Sequence, residues 1–215
     1  MGTRYMPMFV SLANRECLVV GAGPIGVQKT KSLLAAGARV TIVDPNAEWP
    51  KSEMIDATNP TVVARIFEPS DVRGMMVVIG ATDDPDAQRL IYDAARAAGA
   101  LVNIVDVPEL CDFIYAATLE RGDLQIAVST GGRFPSLAAK LRDWIDAQLP
   151  RETGETLDEL GRARMWLRET LPANYALQRE RLGRLLTPAL LRDLIGGRRD
   201  RVRQGIHEWR GSITP

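Results

Sequence analysis

The sequence predicts an α/β fold: a parallel sheet domain, then a small α+β region, then a C-terminal helical domain. Three observations carry that expectation. An apolar run, Glu16-Cys17-Leu18-Val19-Val20, ends in Gly21-Ala22-Gly23-Pro24-Ile25-Gly26 and passes at once into a helical pattern. Strand-like and helix-like segments then alternate as far as Val105, as parallel strands joined by right-handed crossovers do. After about residue 112 the alternation gives way to a hairpin signal and then to helical composition. The expected regions are residues 1–112, 113–150 and 151–215.

The glycine run has the spacing G-x-G-x-x-G at a strand-to-helix turn. Gly21 allows the tight turn, Gly23 lets the backbone approach a pyrophosphate with no Cβ in the way, and Gly26 lets the helix pack close to the strand. The first N–H groups of the helix and its dipole favour a phosphate. Pro24 suits the first helical position, because its missing N–H has no intrahelical partner there. The helix is expected from Pro24 to about Ala36, with Ile25, Leu33 and Leu34 on its apolar face and Gly37 as its stop. A second strand, Arg39–Val43, leads to Asp44, 18 residues beyond Gly26 and near the spacing of about 20 expected for an acid on the adenosine ribose. A carboxylate there accepts from ribose hydroxyls and repels a 2′-phosphate. The pattern is that of a Rossmann-like dinucleotide site for NAD rather than NADP, with Gly21, Gly23, Pro24, Ile25, Gly26, Asp44 and Pro45 around the cofactor. The alternative is a glycine-rich turn without a ligand, Asp44 serving as a cap or solvated turn residue.

Further strands are expected at Val62–Phe67, Met75–Ala81 and Ala100–Val105, with a helix at Pro85–Ala98. Ligands of such sheets gather outside the carboxyl ends of the strands. That edge carries Gly21, Asp44, Thr82-Asp83-Asp84 and Asp106. Thr82 and Asp83 are placed near the nicotinamide ribose, or else Asp83-Asp84-Pro85 is a helix cap. Farther on, Phe113–Leu119 and Leu124–Ser129 flank Glu120-Arg121-Gly122-Asp123 as a hairpin. Thr130-Gly131-Gly132-Arg133 leads into a helix, Pro135–Gln148, whose face is Leu137, Leu141, Trp144 and Ile145. Pro150 ends it. The remainder is helical, broken at Pro172, Pro188 and Gly196-Gly197. A strand pair and one helix are too small to fold alone, which points to association with a second chain.

The 215 residues carry no net charge, so nothing global points to nucleic acid or to an anionic membrane. The distribution is uneven: residues 1–150 hold 14 basic and 18 acidic side chains, a net of −4, and residues 151–215 hold 13 and 9, a net of +4. All 13 are arginine, the residue of forked contacts to carboxylates and phosphates, although a solvated helical surface accounts for them too. Cys17 and Cys111 form no motif and His207 is the single histidine, which excludes a preformed Cys/His metal site. No signal-peptide pattern and no apolar run near 18 residues is present, so a soluble, cytoplasmic protein without a membrane partner is expected.

Taken in order, Pro7-Met8-Phe9 with Leu12, Cys17–Gly23, Ala81-Thr82-Asp83-Asp84, Val102-Asn103-Ile104-Val105-Asp106 and Ala127-Val128-Ser129-Thr130-Gly131-Gly132 resemble the precorrin-2 dehydrogenase/sirohydrochlorin ferrochelatase family, including the N-terminal module of sirohaem synthases. The resemblance covers roughly residues 7–150 and is weaker in the helical tail. Gly26 departs from members that have alanine there, a change harmless to phosphate binding.

The resemblance implies a homodimer, NAD-dependent oxidation of precorrin-2 to sirohydrochlorin, and in some members insertion of Fe²⁺ (or Co²⁺) at the same site. The methyltransferase module of the fused synthases is absent, so a separate uroporphyrinogen methyltransferase would act upstream. Asp106 matches the family's critical aspartate. As a carboxylate at a strand's end it would accept the proton lost in dehydrogenation and, in chelation, serve as base or transient metal ligand. Its bland role is to cap the loop Val107-Pro108. Asn103 would orient the substrate or bond within the core. Ser129, Thr130 and Gly131 would offer donors to a substrate carboxylate, or form an ordinary strand-to-helix turn. Arg133 would attract the polycarboxylate substrate, or be a surface arginine. His207 has no expected catalytic part. Two other readings are a chelatase that has lost oxidation and a non-catalytic NAD-sensing regulatory domain; intact glycines with Asp44 argue against the first, and the later motifs against the second.

Overall fold

The computed structural model describes residues 4–47, 49 and 59–213, and the chain divides into two compact units, Met1–Ile114 and Tyr115–Pro215.

The first unit is built on five parallel strands: β1 (Glu16–Val20), β2 (Arg39–Val43), β3 (Thr61–Val63), β4 (Val77–Gly80) and β5 (Leu101–Ile104). Their spatial order is β3-β2-β1-β4-β5, which places β1 at the centre and lets successive crossovers run outward in both directions. The helices are α1 (Pro24–Ala35) and α2 (Pro85–Ala97). Because both sheet faces are covered, the central strands are apolar throughout rather than alternating. Cys17, Val19, Ile42 and Ile79 pack with Leu33 and Leu34 of α1. Leu18, Val20, Val78, Val102 and Ile104 pack on the opposite face with Ile91 and Ala95 of α2.

Three expectations are corrected here. The strand expected at Val62–Phe67 stops at Val63, because the Arg65 N–H turns back to the Val63 carbonyl at 3.0 Å and the Arg65 guanidinium is clamped by both oxygens of Asp71 at 2.9 and 2.6 Å. Phe67 is nevertheless buried, so the apolar signal was genuine although the backbone is not a strand. Ile25 is not on the core face of α1: it is 44% exposed, and the buried face is Gly26, Thr30, Leu33 and Leu34. Gly26 takes the inward position of the first turn against the Gly21 carbonyl, which leaves its neighbour Ile25 pointing outward. The hairpin's first strand begins at Ala117 rather than Phe113, since the Phe113 carbonyl accepts from Asn103 of β5 instead.

The second unit begins with an antiparallel pair, β6 (Ala117–Arg121) and β7 (Leu124–Val128), joined through Gly122-Asp123. Leu119, Ile126 and Val128 are less exposed than Thr118, Glu120, Gln125 and Ala127, and one helix, α3 (Pro135–Gln148), packs on the pair. Four helices follow: α4 (Thr153–Thr170), α5 (Tyr175–Leu185), α6 (Pro188–Ile195) and α7 (Arg199–Gly211). The interruptions fall at Pro172, at Pro188 as the first residue of α6, and at Gly196-Gly197. Ala163 and Leu167 of α4, Leu185, Leu190, and Val202, Ile206 and Trp209 of α7 form their core. The apolar face read for α3 lies open. Leu137, Leu141 and Trp144 are 46%, 42% and 65% exposed, and Ala138 is the buried residue.

The start of α4 lies against the hairpin. A Cβ at Gly154 would sit 2.5 Å from the Arg121 carbonyl oxygen, a backbone atom that cannot swing aside. Gly154→Ala should therefore destabilise the second unit by about 1–3 kcal/mol, read as a lowered midpoint in urea with the dinucleotide affinity of the first unit unchanged.

Candidate functional site

The strands of the first unit end in one row. Val63, Val43, Val20, Gly80 and Ile104 are register partners across the sheet, so the residues that follow them emerge along one edge. The structure thereby brings Gly21, Asp44, Thr82, Asp83 and Asp106 together at the carboxyl edge of a single sheet.

Gly21 makes the turn with φ +106°, and a Cβ there would overlap the Ala81 carbonyl. The Gly21 N–H donates to the Val43 carbonyl at 3.0 Å, continuing the β1–β2 ladder one residue past the strand. At Gly26 a Cβ would overlap the Gly21 carbonyl, so helix and turn touch backbone to backbone. Gly23 is different: a Cβ there meets nothing within 4 Å, and the space above it is open. Pro24 opens α1, and the helix has no side-chain cap and no acidic residue in its first turn. No side-chain cap therefore takes up its first N–H groups. An open Gly23 beneath an uncapped, 12-residue helix fits a pyrophosphate. The chain's Gly21, Gly23, Ile25 and Gly26 would hold it.

Asp44, half-buried beyond β2, accepts from the Ala22 N–H at 2.9 Å through one oxygen and from the Asn46 N–H at 2.7 Å through the other. It ties the glycine turn to β2. Each carboxylate oxygen keeps a second lone pair, which leaves acceptors for a ribose hydroxyl. Pro45 is exposed beside it. The Thr82 hydroxyl accepts from the Asp84 N–H at 3.3 Å, and the Thr82 carbonyl from the Gln88 side chain at 2.7 Å. Asp84 is the N-cap of α2, accepting from Asp86 N–H at 3.0 Å. Asp83 is exposed and takes no part in that cap.

Asp106 stands on a tight turn after β5. The Val107 N–H returns to the Ile104 carbonyl at 3.2 Å, and Asp106 has φ +61°. This left-handed conformation costs a non-glycine residue free energy, least so for Asp and Asn. Several groups fix the turn. The Cys111 thiol lies 3.1 Å from the Ile104 carbonyl and 3.3 Å from that of Val107, and burial pushes this thiol up, keeping it a donor. Asp112 takes the Val102 N–H at 3.1 Å and Arg96 at 2.5 Å. Asn103, buried, gives its amide to the Phe113 carbonyl at 2.8 Å. Residues 111–113 thus strap the open edge of β5 and hold Asp106 out at its tip, where it is exposed. Lys29 of α1 is half-buried; burial pulls its ammonium below the ordinary lysine range and the charge of Asp106 raises it again. Sequence reasoning missed Cys111, Asp112 and Lys29. For Lys29 a signal existed: it lies one turn beyond Gly26, which itself faces Ala81 after β4.

In the second unit, Ser129 accepts the Gly131 N–H at 3.1 Å and Thr130 the Phe134 N–H at 3.1 Å. Gly131 and Gly132 both have positive φ, and Ser129, Gly131 and Arg133 are exposed. These bonds account for the turn that starts α3. Among the described residues no three His, Cys, Asp or Glu side chains gather as a metal site, and no helix is long and apolar enough to cross a membrane.

Strand order and the glycine turn together define a Rossmann-type dinucleotide-binding protein. Residues 8–117 match the family model described as "Putative NAD(P)-binding", and the chain belongs to that family. Residues 121–148 match the model described as "Sirohaem biosynthesis protein central". Siroheme synthase 2 of Aeromonas hydrophila is 38% identical over 160 residues, which are 74% of this chain and 34% of that protein. Siroheme synthase of Thioalkalivibrio sulfidiphilus is 36% identical over 205 residues, 95% of this chain and 42% of that protein. The chain thus spans roughly a third to two fifths of the curated relatives it matches. Among solved structures, SirC, a precorrin-2 dehydrogenase, superposes with a TM-score of 0.72 at 20% identity, over 95% of this chain and 100% of that one, a likeness of fold. The resemblance carried by the ordered motifs is borne out by these relatives.

The two glycines separate ligand space from packing. Gly23→Ala should leave the melting temperature unchanged, because its Cβ meets no protein atom, yet weaken dinucleotide binding about tenfold or more by occupying the pyrophosphate approach. Gly26→Ala should instead lower the melting temperature, because its Cβ would overlap the Gly21 carbonyl. Thermal melts paired with a cofactor titration check the contrast.

Proposed function

We propose that the protein catalyses the NAD-dependent dehydrogenation of precorrin-2 to sirohydrochlorin, as a homodimer. The observation that carries the proposal is the joint presence, on one sheet edge, of the open glycine turn and of a carboxylate held outward on a left-handed turn. The match to siroheme synthases and to the sirohaem central model supports the choice of substrate class.

Dehydrogenation breaks a C–H bond of the macrocycle, whose hydride leaves with its electron pair, and releases one proton. The dinucleotide, when bound, supplies the hydride acceptor. This chain supplies the rest. The backbone at Gly21, Gly23 and Gly26 orients the pyrophosphate, Asp44 beside Pro45 receives the ribose hydroxyls and selects NAD over NADP, and Thr82 and Asp83 border the nicotinamide ribose. Asp106 takes the proton on its carboxylate. Its turn, fixed by Cys111 and the strap to β5, keeps the group from collapsing onto the protein. Asn103 acts through that strap, positioning Asp106 while its own amide is spent on Phe113. Ser129, Thr130, Gly131 and Arg133 give N–H, hydroxyl and guanidinium donors to the substrate's carboxylates. With Fe²⁺ and sirohydrochlorin as substrates, the same Asp106 would accept pyrrole N–H protons as the metal enters, and contact the ion in passing.

The dimer rests on α3. Phe134, Leu137, Leu141 and Trp144, spaced along one face, are 60%, 46%, 42% and 65% exposed, and a two-stranded pair with one helix is marginal alone. In this reading residues 113–150 form the dimerisation region between the nucleotide domain (1–112) and the helical domain (151–215).

Asp106→Asn keeps a residue that tolerates φ +61° and removes the carboxylate. It should lower sirohydrochlorin formation by roughly 10²–10⁴-fold with NAD affinity unchanged; undiminished turnover in the absorbance assay with enzymatically made precorrin-2 would sink the role. Wild-type protein should bind NAD at least about tenfold more tightly than NADP, the 2′-phosphate being repelled by Asp44. Trp144→Glu should convert a dimer to a monomer in sedimentation analysis.

A further inference from the structure

The thirteen arginines of residues 151–215 are not spread evenly over a solvated surface. In the helical core α4 and α7 pack together, and charged side chains border their contact. Glu159 of α4 lies at the centre. Arg162 Nη2 is 2.8 Å from one of its oxygens. On the other oxygen, Arg203 sits at 2.9 Å (Nε) and 2.8 Å (Nη2), and Arg199 Nη2 at 3.5 Å. Arg199 also pairs with Glu155. Arg162 first, and Arg203 with it, hold the Glu159 carboxyl down at about 2, so it is ionised at any physiological pH.

The depths differ. The Glu159 side chain is 15% exposed, whereas those of Arg162 and Arg203 are 60% and 50% exposed. The negative charge lies underneath and the guanidiniums stand above it. Beside them opens a cleft of about 460 Å³ lined by Glu159, Arg162, Arg203, Ile206, His207 and Arg210. The Arg210 guanidinium lies over the Trp166 ring at 5.1 Å, which fixes its plane. The lining carries three guanidiniums and one carboxylate. A single carboxylate also cannot occupy the five N–H donors that each guanidinium carries. The donors left on Arg162 and Arg203 have the fork geometry that suits tetrahedral phosphate or planar carboxylate.

We propose that the cleft between α4 and α7 is a binding site for a small polyanion. Phosphate or clustered carboxylate groups of the ligand are held by Arg162, Arg203 and Arg210 over the apolar floor of Ile206. The volume lies within the range of small-molecule sites. The cleft is formed within the second unit alone, and the inference does not depend on the dehydrogenase reading.

Trp166, under Arg210, is the reporter. The full chain is titrated at low ionic strength with inorganic pyrophosphate and, separately, with tricarballylate, following tryptophan fluorescence. A saturable change with a dissociation constant of about 1 mM or tighter is expected, lost at about 0.5 M salt. A response to pyrophosphate alone that is weakened in Arg162→Gln assigns phosphate to the cleft, and one that Arg162→Gln leaves unchanged belongs to the glycine turn and overturns the site; a response to tricarballylate alone assigns carboxylates. Arg162→Gln and Arg203→Gln should each weaken binding about tenfold. Arg162 is 60% exposed, and Arg203 and Arg199 remain on Glu159 without it, so that variant stays folded and keeps the test decisive if Arg203→Gln does not. Arg184→Gln is the control, an exposed arginine of α5 paired with Glu180. No saturable response to either anion overturns the site, and so does an equal loss of affinity in Arg184→Gln, which marks non-specific attraction.

Discussion

The first unit depends on how closely three backbone segments meet at the carboxyl edge of its sheet. The turn at Gly21 lies against the Ala81 carbonyl, and Gly26 lies against the carbonyl of Gly21. The Ala22 N–H is held by Asp44 at 2.9 Å. No side chain fits into the first two contacts, so two of the three glycines are required by packing before any ligand is considered. Only Gly23 is open. The nucleotide signature is thus two overlapping constraints: Gly21 and Gly26 allow β1, β4 and α1 to converge, and that convergence leaves the helix N-terminus uncapped and facing outward over Gly23. Asp44 belongs to both constraints, since its oxygens brace the turn and retain lone pairs for a sugar hydroxyl.

The other end of the sheet poses the opposite problem. β5 is a terminal strand, and an unpaired edge exposes its N–H and C=O groups. The chain solves this with its own next segment. Asp112 bonds Val102 through side chain and backbone, Cys111 bridges to Asn103, and Asn103 holds Phe113. Returning so soon after Ile104 forces the chain through a tight turn, and Asp106 occupies the left-handed position of that turn. The aspartate there is exposed, and its charge raises the pKa of the half-buried Lys29 of α1. Edge protection and presentation of the carboxylate are one arrangement.

The nucleotide half was largely legible because its signals are local. Strand β2 and helices α1 and α2 lie within a residue of the positions that apolar runs, Pro24, Gly37 and Pro85 indicated. What remained hidden was anything set by a contact across the fold. Val62–Phe67 reads as a strand by composition, but the Arg65–Asp71 clamp bends it. Cys111 had no motif, since its partners are two backbone carbonyls. Asn103 looked equally suited to substrate or core, and only the Phe113 carbonyl decides where its amide goes. The apolar stripe of α3 was correctly read as a stripe. Its exposure was invisible, because periodicity reports that a face is apolar and not what covers it.

The same distinction bears on the arginine-only tail. Net charge described it as a basic segment, which fits a solvated surface as well as a site. Side-chain depth separates the two. On a solvated surface each arginine pairs with its own neighbour along one helix, as Arg184 does with Glu180. Around Glu159, arginines from two helices converge on one carboxylate with far less exposure than their own guanidiniums have. Lysine could not serve here. Its ammonium loses its proton more readily when crowded by like charges, whereas guanidinium remains charged and can share one oxygen while directing further N–H groups elsewhere. The exposed guanidiniums above one deep acid keep N–H donors that Glu159 does not take, which is the physical reason to look for an anion there.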